Sequence, residues 1–199
     1  MEFREVVRRR RMVRRFDGRQ PPREVLDGVL DSALRAPSAG FAQGVDLVVL
    51  DGAERLDWFW RVTTDAARWR RPLGARAGAP LVVLVLSSRE AYLARYAEPD
   101  KAGLGLDVEE GWPLPYWDLD AAMAAMLLLL AAVDAGLGGW FFGVFHGEER
   151  LLRELGVPAG HRLVGAVALG YPAPGERPVG SATRRRRRGL DEAVHRGHW

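Results

Sequence analysis

Arg10-Arg11-Met12-Val13-Arg14-Arg15-Phe16 and, one predicted helix later, Ala36-Pro37-Ser38-Ala39-Gly40-Phe41-Ala42-Gln43 are the stretches from which the fold is read. The first is a basic segment able to hold a phosphate, because arginine keeps its charge and presents a planar donor fork. The second is a loop of small residues. Ser38 offers a hydroxyl and Gly40 permits backbone angles closed to most residues, so a flat ligand can come close to the main chain. Between them Pro22 stands where helices begin. Val25, Leu26, Val29, Leu30, Ala33 and Leu34 then repeat at helical spacing until Pro37 ends the run. Each stretch also has a plainer reading, the first as solvated surface and the second as an ordinary helix end. Arg10 and Arg14 would share a face if a first helix over 2–10 ran on that far.

Outward from these stretches the chain alternates strands and helices. Val45 to Leu50 reads as a strand, residues 53–67 as a helix carrying Leu56, Phe59, Trp60 and Val62, and Pro80 to Leu86 as the clearest buried strand. A short helix over 89–97 follows, then a long loop over 99–117, a length that is uncommon without a function. Asp118 is the expected cap of a helix over 119–135 that stops at Gly136. That helix is apolar nearly all round, which places it in the centre of the fold or in a subunit interface. Trp140 to Phe145 is the next expected strand, Glu148 to Leu155 a helix stopped by Gly156, and Arg162 to Leu169 a last core strand. The tail 173–199 is rich in Pro, Gly and Arg and cannot bury enough surface alone, so it is either disordered or docked on a partner. The expectation is one domain over 1–199, with 173–199 as an arm.

Composition narrows the chemistry. The chain has 199 residues and no cysteine, which leaves neither disulfides nor thiolate metal sites. His146, His161, His195 and His198 lack the paired spacing of a zinc helix, so no metal is expected. The first residues carry charge without an apolar run, which predicts no signal peptide. The longest apolar run, Ala121 to Val133, is 13 residues, short of the roughly 17–25 of a membrane span. A cytoplasmic protein with no membrane contact is expected. Lys101 is the single lysine among 29 basic residues, and the pentad Arg184 to Arg188 is a weak footprint for nucleic acid.

No nucleophile elbow, Rossmann fingerprint or P-loop is present, and with neither metal nor triad an organic cofactor is the natural carrier of any hard chemistry. Glu109-Glu110 and Asp118-Asp120 read as solvated or capping acids. Trp58, Trp60 and Trp69 read as packing. Trp112, Tyr116 and Trp117 are either a lid over a flat ligand or the anchor of their own loop.

In order along the chain, RRMVRRF, APSAGFAQ, APLVVLVLS (79–87), AAVDAGLGGWFFG, VGAVALGYPAPG (164–175) and RRRRGLDEAVH (185–195) resemble the motifs of the FMN-dependent nitroreductase family. The resemblance implies an α+β nitroreductase-like fold: a central, mostly antiparallel sheet flanked by helices, in an intertwined homodimer whose tail wraps the partner. It implies FMN at two interface sites. Arg10 and Arg11 would hold the phosphate end, joined by Arg185 and Arg187, with Arg14 near the pyrimidine edge of the ring. Pro37, Ser38 and Ala39 would come from the other subunit, and backbone N–H groups near Phe142 and Gly143 would face flavin N5. Met12 and Phe41 fall at contact positions but depart from the family's usual Ser and Asn. Gly44-Val45 replaces a usual Pro-Trp, and residues 51–80 contain no Asn. The implied reaction is a two-step, ping-pong hydride transfer from NAD(P)H through flavin N5 to a nitroaromatic, quinone or similar small acceptor, with no protein acid or base required. The alternatives are a flavin-dependent dehydrogenation or dehalogenation on the same fold, or a non-enzymatic binding protein.

Overall fold

Leu81 to Leu86 are apolar without a break, and all eight residues of the strand they open, β2 (Leu81–Ser88), are buried. Successive side chains of a strand point to opposite faces, so an unbroken apolar run needs cover on both sides. Val82, Leu84 and Leu86 face one core, with Phe59, Trp60, Trp140 and Leu151. Leu81, Val83 and Val85 face the other, with Val29, Ala121, Leu128 and Leu129.

The structure, a computed structural model, describes residues 1–65 and 78–199. Its elements are α1 (Phe3–Arg9), α2 (Arg23–Leu34), β1 (Val45–Asp51), α3 (Ala53–Thr63), β2, α4 (Arg89–Tyr96), α5 (Tyr116–Asp134), β3 (Gly138–Phe142), α6 (Glu148–Glu154), β4 (His161–Gly170), α7 (Ser181–Arg184) and α8 (Leu190–Ala193). The four strands form one antiparallel sheet in the order β1-β2-β4-β3. Helices α2 and α5 cover one face, and α3 and α6 the other. This is the helix-flanked antiparallel sheet that the resemblance implies.

Several local expectations shift. Helix α1 stops at Arg9, so Arg10 and Arg14 do not share a helical face. They lie on a non-helical segment that bridges β3 at Met12. Helix α5 starts earlier than expected, behind Pro115, with no side-chain cap. Asp118 instead accepts hydrogen bonds from the Ser87 hydroxyl (2.7 Å) and from Arg162 (3.0 Å). Strand β3 begins at Gly138 rather than Trp140 and ends at Phe142, because past its Ala166 partner the chain turns outward to an exposed Phe145. The end of the expected helix over 53–67, and Trp69, lie outside the described residues.

The stop at Gly136 is as expected. Its φ is +74°, and Gly136 N–H and Leu137 N–H bond Val133 O and Ala132 O at 3.0 and 2.7 Å, the doubled closure of a Schellman end. Helix α5 buries Ala121, Ala124, Ala125, Leu128, Leu129 and Ala132 and leaves Leu119, Met123 and Met126 exposed. By length and composition alone this 19-residue helix could cross a membrane, yet its inner side is packed on the sheet. Its outer side continues onto the exposed Phe3 and Val7 of α1.

Leu84 is fully buried at the centre of the sheet. Leu84→Ala is therefore expected to lower unfolding stability by about 2–5 kcal/mol, measured by urea denaturation.

Candidate functional site

The basic segment and the small-residue loop sit at opposite corners of the sheet. The basic segment lies outside β3, with Val13 N–H donating to Gly139 O at 3.0 Å. Gly138 makes this approach possible, since a Cβ there would fall 2.6 Å from the Val13 side chain. The loop leads into β1, where Ser88 N–H donates to Gly44 O. In register, Gly139 stands level with Leu169 and Leu81, while Val45 stands level with Ser87. From Leu81 to Ser88 the strand rises roughly 23 Å, and four strand spacings add roughly 19 Å across. One small ligand cannot touch both corners of a single chain.

At the β3 corner the segment is stapled to the start of the arm. Asp17 N–H donates to Tyr171 O and Ala173 N–H to Arg15 O, both at 3.0 Å. The side chain of Glu176, only 5% exposed, accepts the Arg14 backbone N–H at 3.0 Å, and Arg11 donates to the Glu176 carbonyl at 3.0 Å and to its carboxylate at 3.5 Å. The Arg14 guanidinium lies 5.8 Å from the centre of the Trp140 ring. That ring stacks on Phe142 at 4.4 Å, and Phe142 stacks on Trp60 at 5.6 Å. Arg10 and Arg14 are half-buried and have no acidic partner among the described residues. Two such cations at one edge form a donor set for an anionic group. Met12 packs its side chain against both cores, and Gly143 is exposed beyond the end of β3.

At the β1 corner the backbone is strained. Gly40, Phe41 and Gln43 have φ of 62°, 57° and 53°. For residues other than glycine such angles cost of order 1–3 kcal/mol and persist only where the surroundings enforce them. Here Arg95 Nε donates to Gly40 O at 2.8 Å, Gln43 N–H to Ser38 Oγ at 3.0 Å, and Ala39 N–H to the Asp120 carboxylate at 2.9 Å. Pro37 and Phe41 are exposed, Phe41 at 72%.

Behind this loop the aromatic residues gather. Trp112 makes edge contacts with Tyr92, Tyr96 and Trp117, tilts against Tyr116 at 5.5 Å, and donates its indole N–H to Leu106 O at 2.8 Å. Trp112 thus ties the long loop down, and Tyr96 passes the packing on to Gly40. Of the three aromatic residues singled out, Tyr116 alone is exposed. Arg185 and Arg187 lie exposed in the arm and form no ion pair among the described residues, whereas Arg186 pairs with Glu192.

Two residues of these corners were not singled out from sequence. Asp120, expected to be solvated or capping, is 3% exposed. It lies four and eight residues before the buried Ala124 and Leu128, so helical spacing alone puts it on the inner face. Glu176 had no such signal, because it is one acid in an aperiodic tail.

The Nitroreductase family model matches residues 7–171. A Methanothermobacter thermautotrophicus protein provisionally named NADH dehydrogenase/NAD(P)H nitroreductase is 28% identical over 185 residues, 90% of this chain and 83% of its own. An Archaeoglobus fulgidus protein with the same provisional name is 30% identical over 170 residues, covering 84% and 83%. A solved structure from Desulfovibrio desulfuricans, provisionally named a nitroreductase and in complex with FMN, has a TM-score of 0.71 at 24% identity, covering 100% of this chain and 98% of that one. At that identity the likeness concerns the fold.

Glu176→Ala removes a buried acceptor from Arg14 N–H. It is expected to cost about 1–3 kcal/mol of stability and to speed hydrogen exchange at the Arg14 amide, read by mass spectrometry.

Proposed function

The chain belongs to the nitroreductase family, and from that premise we propose that it is an FMN-dependent oxidoreductase that uses NAD(P)H to reduce nitroaromatic, quinone or similar small acceptors. The observation that carries this reading is the pair Arg10 and Arg14. Elsewhere Arg8, Arg35, Arg89, Arg95 and Arg150 each hold a carboxylate, yet these two half-buried cations hold none among the described residues. Unpaired buried charge is costly, and an anionic ligand supplies the missing partner. The donor set therefore fits a flavin phosphate and the electron-rich edge of its ring.

The two corners are far apart in one chain, so a complete site draws on two copies. In this reading the chain is a homodimer of single-domain subunits, each with its 173–199 arm laid over the other. The exposed apolar face of α5 and α1 fits such an interface. Arg10 and Arg11 hold the phosphate, with Arg185 and Arg187 of an arm adding charge. Arg14 stands at the pyrimidine edge, where positive charge favours the reduced, anionic ring. The chain near Met12, Phe142 and Gly143 lines one side of the site. Pro37, Ser38, Ala39 and Phe41 of the second copy close the other, and the exposed Tyr116 stands nearest to an entering acceptor, with Trp112 and Trp117 behind it.

When bound, FMN would supply hydride chemistry between NAD(P)H and the acceptor in two half-reactions. The protein's part is to position the reactants and to exclude water from them. A cytoplasmic location would give access to NAD(P)H.

Purified protein is expected to show twin flavin absorption bands that bleach under anaerobic NADPH or NADH; no bands after reconstitution with FMN would overturn the assignment. Arg14→Ala is expected to weaken FMN binding roughly 10- to 100-fold, as for a lost hydrogen bond between charged groups. Arg15→Ala, at an exposed neighbour, should leave binding near wild type. Fluorescence titration checks both.

A further inference from the structure

Helix α5 is apolar on its inner face except at Asp120. A carboxylate there is poorly placed for packing, since an apolar side chain would fill the same space without desolvating a charge. What Asp120 does is hold other groups. One oxygen, Oδ2, accepts both the Ala39 backbone N–H at 2.9 Å and the Tyr92 hydroxyl at 2.8 Å. Tyr92 is fully buried. Burial first, and then the bond to Asp120, push its pKa up, so the hydroxyl stays protonated and keeps donating. Tyr92 in turn packs under Gly44, where a Cβ would fall 2.6 Å from its ring. One buried acid thus links helix α5, helix α4 and both ends of the strained Ala39–Gly44 turn.

We propose that Asp120 is a positioning residue for the flavin site of the other subunit: it fixes the Ala39 N–H inward, so that Pro37, Ser38 and Ala39 face a flavin held by the second copy's arginines. This rests on the functional reading above and adds a residue to it. Among the described residues, Ala39 is the loop peptide hydrogen-bonded to helix α5. The other ties run from Gln43 N–H to Ser38 within the loop, from Arg95 of α4 to Gly40 O, and from Ser88 N–H to Gly44 O. Without the Asp120 acceptor the left-handed turn loses its hydrogen bond to helix α5.

The test uses mixed dimers. Subunits carrying Asp120→Ala and subunits carrying Arg14→Ala are co-expressed with two different tags, and dimers bearing both tags are isolated. Each parental homodimer is expected to bind FMN at least tenfold more weakly than wild type. In the mixed dimer one site joins intact arginines to an intact loop, and the other carries both defects. It should therefore take up FMN with wild-type affinity at about half the wild-type stoichiometry. A role confined to folding would not produce this rescue. Asp120→Asn keeps an acceptor oxygen and is expected to bind FMN within about threefold of wild type. Asp120→Leu, which fills the space without an acceptor, replaces the alanine variant if that one folds poorly. Wild-type affinity in both the Ala and Leu variants would overturn the proposal, as would a mixed dimer no better than its parents. Wild-type protein that takes up no FMN would instead remove the functional reading itself.

Discussion

The pairing of β2 with β4 is the constraint on which the rest depends. Both strands are covered on both faces, so polarity alone does not distinguish the two faces or fix their register. Size does. Ala166 and Ala168 of β4 lie on the face that receives Phe59, Trp60 and Trp140. Val167 and Leu169 lie on the face that receives the alanines of α5. Large residues meet small ones on each side, and a slip of one residue would set large against large and small against small. The register then dictates where everything outside it stands. β3 and the basic segment are carried to one edge, β1 and the small-residue loop to the other, at opposite ends of the strands.

Two buried carboxylates hold what the sheet has placed. Glu176 grips the backbone N–H of Arg14, and Asp120 grips that of Ala39. Each joins one of the two motif segments to a part of the chain more than 80 residues away. The exposed charges behave differently. Arg8 and Arg9 meet Glu5 along one helix and hold its carboxyl down to about 2, and Arg35, Arg150 and Arg153 make similar short-range pairs. Such pairs in solvent contribute little. Among the described residues the arginines therefore divide into a large, mostly solvated set and a small set at the β3 edge whose surroundings are fixed by a buried acid.

The sequence exposes this architecture unevenly, for physical reasons. Strand β2, the helix periods of α2 and α5, and the glycine stops at Gly136 and Gly156 depend on residues close in sequence, and they stand where local pattern puts them. The N-terminal end of α5 was misplaced because Asp118 suits a cap, yet a long-range bond to Ser87 takes it instead. The β3 boundary was misplaced because glycines read as turn, while here Gly138 and Gly139 are strand residues thinned to admit Val13 and Leu129. The opposite placement of the two motifs depends on strand order, which no local window contains. Motif order, by contrast, was legible, because the resemblance spans nearly the whole chain.

The departures from the family pattern acquire a shared physical reason at the β1 corner. Gly44 stands where the pattern has proline, and the space it leaves is filled by the Tyr92 ring. In that position the Tyr92 hydroxyl reaches Asp120, and one carboxylate oxygen serves both Tyr92 and Ala39. In the same turn, with Ala39 tied inward and Gly40 against Tyr96, Phe41 has a positive φ and its ring is exposed. At the other corner Met12 replaces a side-chain hydrogen bond with packing against both cores, while its backbone still bridges Gly139. At both corners the motif segments are held by packing and hydrogen bonds from elements distant in sequence, Asp120 and Tyr92 at one and Glu176 at the other.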